Sequence, residues 1–384
     1  MECWKSANKK NIELLKQHFK KEDDNSHERA VFVGAGASVF LEIKSWKQLL
    51  ADMNNFFESG INVEESIANI GYPETASLIY DNNKKGDDTS KTYKHFMGDQ
   101  FNPTRGHHYS LHIKIWTVFD LILTTNFDGT FESAHSDLND YLFSLGHSRK
   151  RYKKQILPDF DFTKIMSDPT LIYLHGHKEC ERYIFRKEEY DLNYGNPSRM
   201  PRSDLEIFLE EVFHNIAILF IGFSFNDPYF IEFFKRTIKD FEIRKNQFER
   251  VYEQEYTKKL PVCMAILHKQ SVQNYMLRSK IEELFNGDES WYNLFEDHTR
   301  NELFFKPDAL RILEDITINR ELKNEIVYYY NKIKENNRRM DDLNQLNMEI
   351  IVVDDHNCTE EILNLLKKEE SGIADEGDAK YAVL

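Results

Sequence analysis

Five short apolar runs of strand length, separated by helix-sized intervals, constrain the fold of this chain more than any other feature: Ala30–Val33, Phe119–Thr124, Leu171–Leu174, Ile216–Gly222 and Val262–Leu267. Unbroken apolar runs belong to strands covered on both faces, and strands that alternate with helices join in one direction. The pattern predicts an α/β fold, a doubly wound and mostly parallel sheet of Rossmann type. Helical spacing of Ile12, Leu14, Leu15 and Phe19 places a helix over Asn11–Lys21, and Ser45–Leu50 resumes such a pattern after the first strand. These runs assign residues 1–268 to a first domain. Beyond His268 the character changes to polar helical stretches such as Asn319–Arg338, which predicts a mainly helical accessory or assembly region over residues 269–368. Within it Glu349–Val353 reads as an isolated strand followed by a helix over Thr359–Lys368. Residues 369–384 mix Gly, Ala and acids without periodicity and are predicted to be disordered.

Composition narrows the function by exclusion. A chain of 384 residues, 41% hydrophobic, can bury a sizeable core. Its formal charge of −15 opposes whole-surface attraction to nucleic acid or anionic lipid. The basic run Arg149, Lys150, Arg151, Lys153 and Lys154 is the local exception, read as a solvated loop or helix face, with an acidic partner as the alternative. The longest nearly unbroken apolar stretch, Ile216–Phe225, is about half the ~20 residues that cross a bilayer. No membrane span is expected, and the lysine-studded start lacks the apolar core of a signal peptide, so a cytoplasmic location is expected. The four cysteines Cys3, Cys180, Cys263 and Cys358 are far apart, without the spacing of a zinc knuckle or a redox pair. His175 with His177, and Asp354-Asp355-His356, have no partner set for a metal. His107, His108, Trp116 and Phe119 read as structural residues.

Chemistry collects where the strands end. The first runs into Gly34-Ala35-Gly36-Ala37-Ser38, where glycines allow a tight turn and a following helix could offer N–H groups to a pyrophosphate; a purely structural turn explains so short a motif equally well. The second delivers Thr125, Asn126, Phe127 and Asp128, an amide and a carboxylate that either face a ligand crevice or cap the next helix. The third ends in His175-Gly176, a base position or simply a hydrogen-bonded histidine. The fourth breaks into Gly222-Phe223-Ser224-Phe225-Asn226-Asp227. Four strand ends with such residues are less easily coincidence than any one of them.

In this order the motifs resemble the SIR2 family, in particular the divergent SIR2-like branch of bacterial anti-phage defence proteins. The resemblance rests on GAGAS at Gly34–Ser38, SWKQLL at Ser45–Leu50, TTNFD at Thr124–Asp128, LHG at Leu174–Gly176 and GFSFND at Gly222–Asp227, and spans Val31 to His268. Tyr183–Tyr190 is a weaker echo of the strand and Tyr-containing helix start that come after the histidine there. The resemblance implies a sirtuin-like fold that takes NAD⁺ as substrate. Gly34, Ala35, Gly36 and Ser38 would hold its phosphates, Thr125, Asn126, Phe127 and Asp128 would line the nicotinamide and ribose pocket, Gly222 and Ser224 would contact the adenosine side, and Asp227 would contact a ribose. Asn126, His175 and Asp128 would be catalytic, with His175 as general base.

Family members that deacetylate proteins carry a zinc module held by two cysteine pairs between the LHG and Gly-x-Ser motifs. Here Gly176–Ile221 contains only Cys180, so no zinc and no required cofactor are expected, and water is the expected acceptor of the ribosyl cation. The resemblance thus implies an NAD⁺ hydrolase of antiviral defence. The alternatives are a non-catalytic NAD⁺- or ADP-ribose-binding subunit and a protein deacylase or ADP-ribosyltransferase. Analogy adds a homo-oligomer and a HerA-type ATPase as partners. Val39–Lys44 departs from the family by lacking its proline-containing apolar turn, which leaves open a closed resting state of the pocket.

Overall fold

The computed structural model describes residues 5, 8–20, 29–83, 89–101, 109–156, 160, 168–180, 182–195, 202–269, 275–285, 294, 306, 309, 311 and 320–367. Helix α1 (Lys9–Phe19) precedes strand β1 (Arg29–Val33) and a 3-10 helix over Ala35–Leu41. A helical layer comes next, α2 (Trp46–Phe57), α3 (Val63–Ile70), α4 (Tyr72–Asp81) and α5 (Thr89–Gln100). It begins at a capping box in which Ser45 and Gln48 satisfy each other's backbone N–H groups. Helix α6 (Ser110–Val118) leads into β2 (Leu121–Thr124), α7 (Thr130–Ser144), β3 (Lys153–Ile156) and β4 (Thr170–Tyr173). Then come α8 (Lys187–Asn193), α9 (Asp204–Asn215), β5 (Ala217–Ile221), α10 (Pro228–Tyr252) and β6 (Cys263–His268). The described chain closes with α11 (Tyr275–Leu284), α12 (Arg320–Gln345), β7 (Glu349–Val353) and α13 (His356–Leu366).

The strands form one all-parallel sheet in the order β3-β4-β2-β1-β5-β6-β7. Alternate residues of each strand enter opposite cores, as the two-residue period requires. Phe32, Leu123, Ile172 and Phe220 meet α8, α9 and α10 on one face, while Val33, Ile122, Leu171 and Leu219 meet α1, α6, α7 and α13 on the other. Trp116 and Phe119 lie in the second core. A third core joins α2, α4 and α5 to Phe127, Tyr183 and Phe185. Among the described residues no helix is long and apolar enough to cross a membrane.

The structure corrects the sequence reading in three places. Glu349–Val353 is not isolated: it pairs along its length with β6 as the seventh strand, because Ile351 and Val353 continue the apolar face beside Ile266. The outer edge of β7 is covered by two side-chain amides of the first helix segment. Asn8 accepts from Val352 N–H at 3.0 Å and donates to its carbonyl at 2.8 Å, and Asn11 donates to Ile350 O at 2.7 Å. The basic run is not a loop or helix throughout; Lys153 and Lys154 start the opposite edge strand, ion-paired to Asp168 and Glu132. Tyr183–Phe185 forms no strand, although Ile184 N–H donates to His175 O at 2.8 Å and α8 comes after it as expected. His107, His108, Cys3 and residues 369–384 lie outside the described residues.

Candidate functional site

Strand register places the motifs side by side. Val33 is level with Thr124 in β2 and with Ile221 in β5, and Thr124 is level with Tyr173 in β4. The chain therefore leaves the sheet at one height four times, and Gly34–Ser38, Asn126, His175 and Gly222–Asp227 lie along one carboxyl edge. The connection after β1 runs toward β2 while that after β5 runs toward β6, so the order reverses between β1 and β5. Ligands of open α/β sheets bind in the crevice outside such a reversal.

The glycines are needed where these two loops interlock. Gly36 N–H donates to Gly222 O at 2.8 Å, and a Cβ on Gly34 or Gly36 would stand 2.7 Å from that same carbonyl. Gly222 has φ +64°, and a Cβ there would lie 2.2 Å from Ala37 N. The Gly36 and Ala37 N–H groups, which the sequence would offer to a pyrophosphate, are thus already bonded within the turn, Ala37 to Gly34 O at 3.1 Å. The chain continues from the turn as a 3-10 helix, and Ala35 is exposed at its start.

Beside this turn the Asn126 carboxamide is 6% exposed. Its Nδ2 donates at 3.4 Å both to Gly34 O and to Ser38 Oγ, and its backbone N–H donates to Thr124 Oγ1 at 3.1 Å. Its Oδ1 has no hydrogen-bond partner. A buried carbonyl oxygen without a partner is costly and marks a place where a ligand donor would be stabilising. Ser38 Oγ also lies 3.2 Å from Nε2 of His112, a fully buried residue that burial pushes down to about 3 and so keeps neutral. Sequence reasoning misses His112 because it sits one turn into α6, on a face that reads as core.

The neighbours of Asn126 have other surroundings. Thr125 is half-buried, its N–H bonded to Val33 O. Phe127 turns into the helical core, its ring 5.0 Å from Phe101. Asp128 is buried and its Oδ1 accepts from Thr130 N–H at 3.0 Å, a turn bond just ahead of the helix whose N-cap is Gly129; burial raises its pKa against the Thr130 bonds.

His175, 3% exposed, has Nε2 2.6 Å from the Tyr194 hydroxyl. Tyr194 stacks on Tyr190, whose hydroxyl donates to Asp227 Oδ2 at 3.0 Å. Asp227 caps α10 through the Tyr229 and Phe230 N–H groups, and burial pushes it up to about 6. Burial takes the His175 imidazole down to about 3, so in this arrangement it is a neutral hydrogen-bonding group and a weak base. Among the described residues no hydrogen bond joins the Asn126 group to the His175 group.

Residues 120–273 match the family model of the SIR2-like domain. This chain carries a SIR2-like domain. The match takes in TTNFD, LHG and GFSFND; the glycine turn precedes it in sequence and joins it through the register of β1. No curated protein matches the chain.

Three further groups lie outside the Asn126 and His175 groups. His177 lies 3.1 Å from Glu132, which also accepts from the Tyr173 hydroxyl, so a histidine that could be taken for a metal ligand is half of a structural pair. Among the described residues no cluster of three His, Cys, Asp or Glu side chains could hold a metal ion. Asp354 pairs with Lys269 and Asp355 caps α13. On the GFSFND loop, Ser224 is exposed and its carbonyl accepts from Nε of Arg339 at 2.6 Å, and nothing in the sequence pattern links that α12 residue with the site.

Proposed function

We propose that this SIR2-like domain binds NAD⁺ across the β1–β5 reversal and hydrolyses it to nicotinamide and ADP-ribose. The observation that carries the reading is the unpartnered, buried Asn126 Oδ1 beside an interlocked glycine turn, an acceptor suited to a ribose hydroxyl or to the attacking water. Cleavage of the bond to cationic nicotinamide gives the ribose oxocarbenium character, and the leaving group needs no proton. Once water has added, the protonated product is strongly acidic, so the weakly basic His175 suffices to receive or relay its proton while orienting the reactants. The absence of paired cysteines between Gly176 and Ile221 supports water as acceptor. Restrained depletion of NAD⁺ in antiviral defence, with regulation through assembly or a HerA-type partner, is the role we infer for it.

A second reading, an NAD⁺- or ADP-ribose-binding subunit without turnover, is favoured by one observation: the Tyr194 hydroxyl occupies His175 Nε2. The deciding experiment tracks nicotinamide and ADP-ribose released from NAD⁺ by the purified chain. Equimolar products are expected, reduced about 10²- to 10⁴-fold in Asn126→Ala and His175→Ala, the range of general acid–base and positioning effects. Binding of NAD⁺ without products would select the second reading, and no binding would sink both.

A further inference from the structure

The loop after β5 contains a backbone conformation that needs external support. Phe225 has φ +52°, a left-handed value that is unfavourable for a non-glycine residue. Its ring is buried against Phe220 and Phe223, which holds the residue from inside. From outside, the two residues flanking it are held by one side chain. Arg339 Nε donates to Ser224 O at 2.6 Å and its Nη2 donates to Asn226 Oδ1 at 3.1 Å. Glu335, one turn earlier on α12, accepts from Arg339 Nη2 at 2.9 Å and from Asn226 Nδ2, which closes the ring of bonds and balances the charge.

Arg339 is 3% exposed and its partner Glu335 31%, so this is a charge-assisted clamp with a buried guanidinium and a carboxylate at its solvent side. Helix α12 is itself seated by Lys235–Asp342 at 2.7 Å and by Leu343 in the core beneath α10. Its earlier turns pack elsewhere, Ile326 and Ile333 against Ile281 and Phe285 around α11. One helix thus spans from a separate helical cluster to the loop of the candidate site.

We infer that Arg339 is a positioning residue for Ser224–Asn226, through which α12 sets the affinity of the adenosine side of the site for NAD⁺. The inference rests on the NAD⁺ reading for its ligand, but its mechanical half stands on the clamp alone. A guanidinium fork bridges a carbonyl and a carboxamide at fixed geometry, which an ammonium does not. Movement of α12 by assembly would withdraw the fork and release the loop.

The test compares full-length wild type, Arg339→Met, Arg339→Lys and Glu335→Gln. Hydrogen exchange of residues 222–227 is expected to speed up in both Arg339 variants, and less in Glu335→Gln. The KM for NAD⁺ is expected to rise about 10- to 100-fold in Arg339→Met, the equivalent of one or two hydrogen bonds to a charged group, with kcat within about threefold. Arg339→Lys should restore little of this. If Arg339→Met does not fold, Arg339→Lys and Glu335→Gln decide by the same readouts. Unchanged exchange in the loop, rescue by lysine, or a fall in kcat at constant KM would each overturn the inference. Failure of wild type to bind NAD⁺ would remove the NAD⁺ reading, while loop exchange would still report whether Arg339 holds the loop.

Discussion

The turn after β4 buries one histidine toward α8 and another toward α7, and the two sides have opposite electrostatics. His175 meets only tyrosine: Nε2 bonds to the Tyr194 hydroxyl, the Tyr190 ring stands edge-on, and burial takes its pKa to about 3. His177, two residues on, is as buried, yet bonds involving Cys180 and Glu132 outweigh the lowering by burial and raise its pKa. Burial likewise pushes Glu132 up, but its bonds to His177 and Tyr173 bring it below its ordinary value. The same side chain in the same turn is a neutral dipole beside tyrosine on one side and the partner of a carboxylate that favours its protonation on the other. Gly176 makes the division possible: its φ of +98° turns the chain between them, and a Cβ there would meet Arg182 O at 2.3 Å.

The largest expected effect separates the sides by activity. His175→Ala should lower NAD⁺ turnover by about 10²- to 10⁴-fold, whereas Glu132→Gln, which leaves Asn126 and His175 untouched, should keep turnover within about tenfold. Comparable loss in both would mean that the turn acts as one unit and the contrast has no functional content.

Next in size is stability. Glu132→Gln leaves the buried His177 without its carboxylate, and denaturant unfolding should show a loss of about 1–3 kcal/mol. No loss would show that the pair contributes nothing net.

Acidification sharpens the contrast because the signs differ. His175, with a folded pKa below its unfolded value near 6.5, contributes stability that is complete above about pH 6.5 and falls as pH drops toward 3; His112 behaves the same way. His177, with a raised folded pKa, contributes stability that is complete below about pH 6.5 and is lost as pH rises through the folded value. Between pH 6.5 and 5, His175→Gln should lessen the acid-induced loss of unfolding free energy by on the order of 2 kcal/mol, whereas His177→Gln should leave that acid limb nearly unchanged and lessen the loss as pH rises above 6.5. Parallel profiles for the two variants would refute the assignment.

The smallest effect concerns Tyr194. Its hydroxyl is the partner of a neutral imidazole, so Tyr194→Phe should cost about 1 kcal/mol of stability. If the closed contact restrains the site, the same change should raise turnover modestly; a fall would make Tyr194 part of the working arrangement.

Much of the frame is legible in the sequence because it is local. Each apolar run and its terminal residue lie within ten positions, so β1, β2, β4, β5 and β6 and the row Gly34, Asn126, His175 and Gly222 emerge from pattern alone. Partners are not legible where they are distant. Tyr194 is 19 residues from His175, Glu132 is 41 from Tyr173, His112 is 74 from Ser38 and Arg339 is 115 from Ser224. For the same reason β7 reads as isolated in sequence, since parallel pairing to β6 leaves no mark in adjacent residues. Phe127 shows a different limit: motif membership suggests a ligand contact, while its place one residue past Asn126 packs the ring into the helical core.

The amides of Asn8 and Asn11 have a meaning beyond holding a helix to a strand. A sheet margin with a free row of backbone groups is a template on which another chain can add and growth into aggregates can begin. Along residues 350–352 that row is occupied by side chains that imitate peptide groups, and at the far margin Lys153 and Lys154 present charge instead. Copies of this protein meeting at either margin are thereby discouraged from fusing their sheets.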